Sequence, residues 1–211
     1  MLNENLKRLM NLFKKNEIIH WIDSGTLLGL YRDGELITGD KDVDISVLIN
    51  YTNQENHILS FVKQCGYTDV RVRMKFGKIF KIKVFVYDDR TIDISFFFDS
   101  GKNFLISPQI DINQSHLLLR SSIVKKILIS YLYRSKSIDY SKLLFLKLVY
   151  VGYWLAPKNL IQPDNLGELS GLTVPKNIDD YLTYRYGTWK EKVSKWSSKQ
   201  QDGGLYFLDI L

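Results

Sequence analysis

The 211-residue sequence predicts an α+β fold: a mixed β-sheet with flanking helices, followed by a helical C-terminal half. Three stretches carry that reading. A β-like run at Ile18, Ile19, Trp21 and Ile22 breaks at Ser24-Gly25-Thr26 and continues as a short amphipathic helix with Leu27, Leu28, Leu30 and Tyr31. From Tyr67 to Phe98 apolar and charged residues alternate, as half-buried strands do. Beyond Ser122 the apolar residues regain helical character. Residues 1–115 thus read as a sheet-based core and residues 116–211 as a helical region packed on it.

Taken in order, Leu2, Leu6, Leu9, Met10, Leu12 and Phe13 stand among Lys7, Arg8, Lys14 and Lys15, which makes residues 2–15 an amphipathic helix with a basic outer face. In the strand–turn–helix that follows, Gly25 allows a sharp turn and Ser24 or Thr26 caps the helix. The amides of such a helix start suit a phosphate. Asp40, Asp42 and Asp44 then alternate with Lys41 and Val43 and lead into Ile45, Val47 and Ile49, a strand with its carboxylates on one side. Asn53 to Cys65 reads as a second flanking helix closed by Gly66.

The alternating region places Val70 and Val72 beside Arg71 and Arg73, turns at Gly77, and interleaves Ile79, Ile82, Val84 and Val86 with Lys78, Lys81 and Lys83. These cations face either solvent or a cleft. A turn at Asp88-Asp89-Arg90 leads to a strand carrying Asp93 within Thr91-Ile92-Asp93-Ile94-Ser95-Phe96-Phe97-Phe98. Residues 99–115 read as loop and a short strand, then Ser122 to Tyr133 and Tyr140 to Leu155 as helices. The Leu143–Leu155 run is the most apolar of the chain. It is shorter than the about 20 residues a membrane span needs, which favours a buried helix over peripheral membrane contact. Pro157 ends that helix, Pro163-Asp164-Asn165 form a loop, and Asn177 caps a last helix running to Gly187.

Composition is that of a folded globular chain, 45% hydrophobic and 25% charged, with 13 Tyr, 11 Phe and 4 Trp. A net charge of +6 spread along the chain fits anionic substrates better than nucleic acid. The single cysteine, Cys65, excludes an intramolecular disulfide and a cysteine-based zinc site. With no signal-like segment at the N-terminus, a cytoplasmic location is expected. The sequons at Asn50 and Asn113 are then chance matches.

Asp40, Asp42 and Asp44 on one face would repel each other unless a cation neutralised them, and hard oxygen ligands suit Mg²⁺. An isolated D-x-D equally suits a solvated edge strand. The Ser-Gly-Thr turn upstream and Asp93 downstream, a charge in an apolar strand, favour the metal.

A Gly-Ser/Thr turn, a D-x-D strand and a later strand with one Asp resemble the nucleotidyltransferase fold of DNA polymerase β and the aminoglycoside nucleotidyltransferases. More narrowly, His20, Asp23-Ser24-Gly25-Thr26-Leu27-Leu28-Gly29, Arg32-Asp33-Gly34, Ile37 and Asp40-Lys41-Asp42-Val43-Asp44-Ile45 resemble the signature of the LicD/fukutin family. Pro175, Tyr181-Leu182, Tyr186-Gly187 and Trp189 echo the family's ending. Thr38-Gly39 stands where many relatives carry Pro-Trp.

The resemblance implies transfer of a phospho-alcohol, phosphocholine or ribitol phosphate, from a CDP-linked donor such as CDP-choline or CDP-ribitol to a glycan hydroxyl, lipid-linked or free, with release of CMP. It also implies a bacterial enzyme at the inner face of the cytoplasmic membrane that modifies lipopolysaccharide, teichoic acid or capsule. Asp42, Asp44 and Asp93 are then the catalytic residues and the ligands of Mg²⁺, or of Mn²⁺ in its place. Asp93 also takes the acceptor's proton. Ser24, Gly25 and Thr26 cradle the diphosphate, Arg32 pairs with phosphate or with Asp33, and Asp40 is a substrate or outer ligand. Trp21, Tyr31, Trp154, Tyr186 and Trp189 are candidates to face a choline ammonium. Two rivals remain: a nucleotidyltransferase that adds NMP from an NTP with pyrophosphate release, and a non-catalytic RNA-binding module.

Overall fold

The computed structural model describes residues 4–86, 90–112, 121–146, 148–193 and 201–207. The fold is α+β around a nine-stranded mixed sheet. Its first half contains α1 (Glu4–Lys15), β1 (His20–Ile22), α2 (Ser24–Arg32), β2 (Asp42–Ile49), α3 (Gln54–Gln64), β3 (Asp69–Lys75), β4 (Lys78–Phe85), β5 (Thr91–Asp99) and β6 (Phe104–Ile112). The second half adds α4 (Ser122–Arg134), β7 (Ser137–Asp139), α5 (Ser141–Phe145), β8 (Val149–Pro157), β9 (Leu166–Leu169), β10 (Leu172–Pro175), α6 (Ile178–Tyr186) and β11 (Leu205–Phe207).

The centre of the sheet is β5. It pairs in parallel with β2 along residues 91–98 and antiparallel with β4 along 91–95, and its last residues pass to β6. From β4 the sheet continues through β3 to β7, and from β6 through β8 to β11, while β1 closes the far side of β2. A separate β9–β10 hairpin packs near β1.

Pleating puts Val43, Ile45 and Val47 on one face of β2 and Asp42, Asp44 and Ser46 on the other. The apolar face builds the main core with Ile92, Ile94, Phe96, Ile82 and Val84. Helix α1 buries Leu6, Leu9, Met10 and Phe13 in that core, and α3 buries Ile58 and Val62. Those positions recur at helical spacing, so each helix buries one apolar stripe; α1 leaves its charges in water, while α3 buries Glu55 in its first turn. Gly66, at φ +86°, follows α3 in the left-handed conformation that glycine adopts without a Cβ penalty.

Two expectations are corrected. The run Leu143–Leu155 is not one helix: α5 stops at Phe145, and Val149–Pro157 is a nine-residue strand paired along its length with β6. Its β-branched and aromatic residues (Val149, Tyr150, Val151, Tyr153, Trp154) fit a pleated surface, and Gly152 disfavours a helix. A short apolar run carries no period that separates the two states. The segment expected as loop and short strand is likewise β6, nine residues deep in the sheet. The second half therefore adds sheet as well as the expected helices α4 and α6. The expected turn residues Asp88 and Asp89, the sequon Asn113, and Trp196 lie outside the described residues.

Candidate active site

Register brings the acidic residues together. Asp44 lies opposite Asp93 in the parallel β2–β5 pair, and Asp93 lies opposite Lys83 in the antiparallel β5–β4 pair. Asp42, Asp44 and Asp93 each offer a carboxylate oxygen within 4.8 Å of one another. Lys81 Nζ lies 2.7 Å from Asp93 Oδ2, and Lys83 Nζ lies 3.1 Å from Asp93 Oδ1. Lys81 and Lys83 of β4 thus turn to the carboxylates. Arg73 instead donates to the carbonyls of Leu132 and Ser135 at the end of α4, and Arg71 stacks on Phe85, 3.9 Å from its ring centre.

The electrostatics divide the three acids. Burial alone would raise Asp93, but the charges of Lys81 and Lys83 hold it below the ordinary carboxylate range. For Asp44, burial joined by repulsion from Asp42 and Asp93 outweighs the pull of Lys81 and holds it well above that range. Burial first, then a hydrogen bond with Asp40 and the charge of Asp93, push Asp42 up to about 6. A hydrogen bond between two carboxyls needs a proton on one of them, as expected where positive charge is short. Hard oxygen donors at this spacing, two of them raised by burial and by their carboxylate neighbours, fit a divalent ion such as Mg²⁺ or Mn²⁺.

The start of α2 meets this cluster. Asp23 caps the helix: its Oδ1 accepts from the Ser24 amide at 2.6 Å. Ser24 itself adopts φ +50°, a left-handed backbone costing a non-glycine residue about 1–3 kcal/mol, of the kind that collects at functional sites. A Cβ on Gly25 would lie 2.8 Å from Asp40 Oδ2, so a side chain there would displace that carboxylate. Asp40 therefore rests its carboxylate against the helix start.

Ser24, Gly25, Arg32, Asp40, Asp42, Asp44 and Asp93 all line one cleft of about 700 Å³. Thr26 does not. It is buried, and its hydroxyl accepts from the Asp44 amide at 2.8 Å, fastening α2 to the strand that carries the acids. The Arg32 guanidinium is engaged by Asp33, with contacts of 2.9 and 3.1 Å. Hydrogen bonds from Arg32 first, then Lys192, hold Asp33 down to about 2. His20 is structural too, its Nδ1 donating to Ile18 O at 2.8 Å.

The aromatic candidates separate in the same way. Trp21 is fully buried against Phe97, with ring centres 5.3 Å apart, so it cannot meet a ligand. Tyr31 donates to Asp179 at 2.6 Å. Trp154, Tyr186 and Trp189 line the cleft, and the Trp154 indole N–H has no partner among the described residues.

Sequence reasoning missed Arg185 and Asp202. Arg185 on α6 donates to both carboxylate oxygens of Asp202, Nε to Oδ1 at 2.8 Å and Nη2 to Oδ2 at 2.7 Å, and to Asp23 Oδ1 at 3.0 Å. Asp23 also accepts from Tyr181 OH at 2.6 Å and Ser46 Oγ at 2.5 Å. The only local signal was Asp23 directly before the turn. Its partners lie 158 and 162 residues away.

A strand–turn–helix whose helix start meets paired acidic strands is the architecture of a nucleotidyltransferase domain. The family model described as LicD/FKTN/FKRP, nucleotidyltransferase domain, matches residues 17–124, just over half of the chain, and the chain belongs to that family. It is 35% identical over 100 residues to an uncharacterized protein of Rickettsia typhi, covering 47% of this chain and 29% of that one. It is 40% identical over 63 residues to an uncharacterized protein of Rickettsia prowazekii (30% of this chain, 24% of that one). A Caenorhabditis elegans uncharacterized protein is 36% identical over 77 residues (36% and 19%). The matches thus span less than a third of each relative's length. Among solved structures, the lincosamide antibiotic adenylyltransferase LnuA, lincomycin-bound, is 11% identical with a TM-score of 0.38, covering 83% of this chain and 79% of that one. ANT(2")-Ia in complex with adenylyl-2"-tobramycin is 14% identical with a TM-score of 0.33, over 46% and 50%. Likenesses this slight do not bear on substrate.

Proposed function

We propose that this chain is a Mg²⁺-dependent transferase that moves a phospho-alcohol, phosphocholine or ribitol phosphate, from a CDP-linked donor to a glycan hydroxyl and releases CMP. The observation that carries the reading is the convergence of Asp42, Asp44 and Asp93 within 4.8 Å beside the start of α2, in a chain of the LicD/fukutin family. Asp42, Asp44 and Asp93 would hold the ion. When bound, it supplies neutralisation of charge on the transferring phosphoryl group and on the departing CMP.

The chain's own groups do the rest. The first-turn amides of α2 receive diphosphate oxygens, for which the Asp40 carboxylate must move off Gly25. Lys81 and Lys83, ammoniums already beside the acids, add positive charge facing the phosphates. They also make Asp93 a weak base, so its role as ligand ranks above its role in taking the hydroxyl proton. Trp154, Tyr186 and Trp189 give the cleft aromatic faces for the donor.

CMP release, followed by chromatography from CDP-choline, CDP-ribitol and CDP-glycerol separately with Mg²⁺ or chelator, tests the proposal. Magnesium-dependent release from one donor, lost in Asp42→Asn, supports it. Silence with all three, beside pyrophosphate release from ATP or CTP, would replace it with nucleotidyl transfer.

A further inference from the structure

Helix α4 turns large apolar side chains into water. Of the eleven exposed large apolar residues among the described ones, four lie on it: Ile123 at 68%, Val124 at 39%, Ile127 at 64% and Tyr131 at 52% exposure. Ile123, Ile127 and Tyr131 are four apart and so share one face. Leu128, Ile129 and Leu132 are half-buried, and Leu132 packs on the small cluster of Phe80, Ile138, Tyr140 and Val149. The helix is therefore apolar on its inner face and again on its outer one. A surface helix whose only role is to cover a sheet does not need the second.

Its charge names the occupant. SIVKKILISYLYR has three cations, Lys125, Lys126 and Arg134, and no acid. Exposed Lys126 and Arg134 stand beside the apolar crest, whereas Lys125 is half-buried on the inner face with Ile129 and Leu132. A second copy docked face to face would set these cations against themselves. Nucleic acid would satisfy the cations and leave the isoleucines in water. An anionic lipid surface takes both, with apolar side chains entering the acyl boundary and lysines meeting headgroups.

We propose that α4 docks the protein on anionic bilayers through Ile123, Ile127 and Tyr131, with Lys126 and Arg134 at the headgroups. The end of α4 is tied to the cleft side of the sheet, because Arg73 on β3 donates to Leu132 O (2.9 Å) and Arg73 pairs in register with Lys81 on β4. Docking would thus present the cleft to acceptors carried on lipid. That consequence rests on the proposed transfer reaction; the docking itself does not.

Co-sedimentation with vesicles of phosphatidylcholine alone, or of phosphatidylcholine and phosphatidylglycerol in equal parts, tests it at low salt. Binding to the mixed vesicles is expected to be on the order of 100-fold tighter than to neutral ones. Lys126→Gln/Arg134→Gln should weaken it about 30-fold, and Ile123→Ser/Ile127→Ser at least about tenfold. Lys7→Gln/Lys15→Gln, which removes the same charge from α1, should change it by no more than about twofold if the patch rather than net charge binds. Equal binding to both vesicle types, α4 variants that bind like the parent, or an equal loss in the α1 variant would each overturn the proposal. So would a dimer in sedimentation velocity that Ile123→Ser/Ile127→Ser dissolves. CMP release in vesicle-free solution should be unchanged in the α4 variants, so that failed docking and a wrong reaction are told apart.

Discussion

Two charge clusters lie within reach of α2, and their chemistry is opposite. Around Arg185 every strong group is answered. Asp202 takes two guanidinium bonds and the Gly204 amide, while Asp23 takes Ser24, Ser46, Tyr181 and Arg185. Around Asp44 the balance fails. Three carboxylates face two ammoniums that both sit on Asp93, and Asp42 and Asp44 are pushed upward. A satisfied buried cluster holds a fold together, whereas carboxyls raised by burial and by one another mark a candidate functional site. The first cluster also serves the second, because Asp23 both caps α2 and anchors α6 and residue 202 to it.

This contrast can be broken from either side. The largest effect is expected from Asp42→Asn: CMP release should fall by several orders of magnitude, while urea denaturation without metal shows stability unchanged or raised as repulsion is relieved. Arg185→Met should do the reverse, costing about 3–5 kcal/mol in urea denaturation because Asp23 and Asp202 stay buried and uncompensated. Mg²⁺ at about 100 times its dissociation constant should stabilise the parent by about 2.7 kcal/mol and leave Asp42→Asn nearly unmoved, as calorimetry would show.

Smaller changes probe the frame. A Cβ on Gly29 would lie 2.7 Å from Glu35 O and 2.8 Å from Ile37 N, backbone atoms that cannot turn aside. Gly29→Ala should therefore cost about 1–3 kcal/mol in thermal unfolding. Asn177 caps α6 by accepting from the Asp180 amide at 3.2 Å, and Asn177→Ala should cost about 1 kcal/mol. Because α6 carries Arg185, a larger loss of CMP release than of stability in that variant would show that helix position is transmitted to the cleft.

Local pattern was enough for much of this. The amphipathic periods of α1 and α3 and the spacing of Asp42 and Asp44 are properties of neighbouring residues, and the structure keeps each of them; the strand-to-helix break is kept too, but Asp23 caps α2 in place of the expected Ser24 or Thr26. The strand β8 was misread because an almost unbroken apolar run has no polar contrast along it to reveal a period. Thr26 looked like a cradle residue but spends its hydroxyl on the Asp44 amide, a bond between residues 18 apart.

The sequence by itself determined α1, the β1–α2 junction, α3, the acidic residues and the family they belong to, since alternation and helical spacing act over a few residues. Tertiary structure alone decided that Lys81 and Lys83 turn to Asp93 while Arg73 caps α4, because strand register assigns neighbours that spacing does not. It alone decided, too, that Arg185 would join Asp23 to Asp202, since a buried guanidinium takes whichever carboxylates the completed fold brings to it.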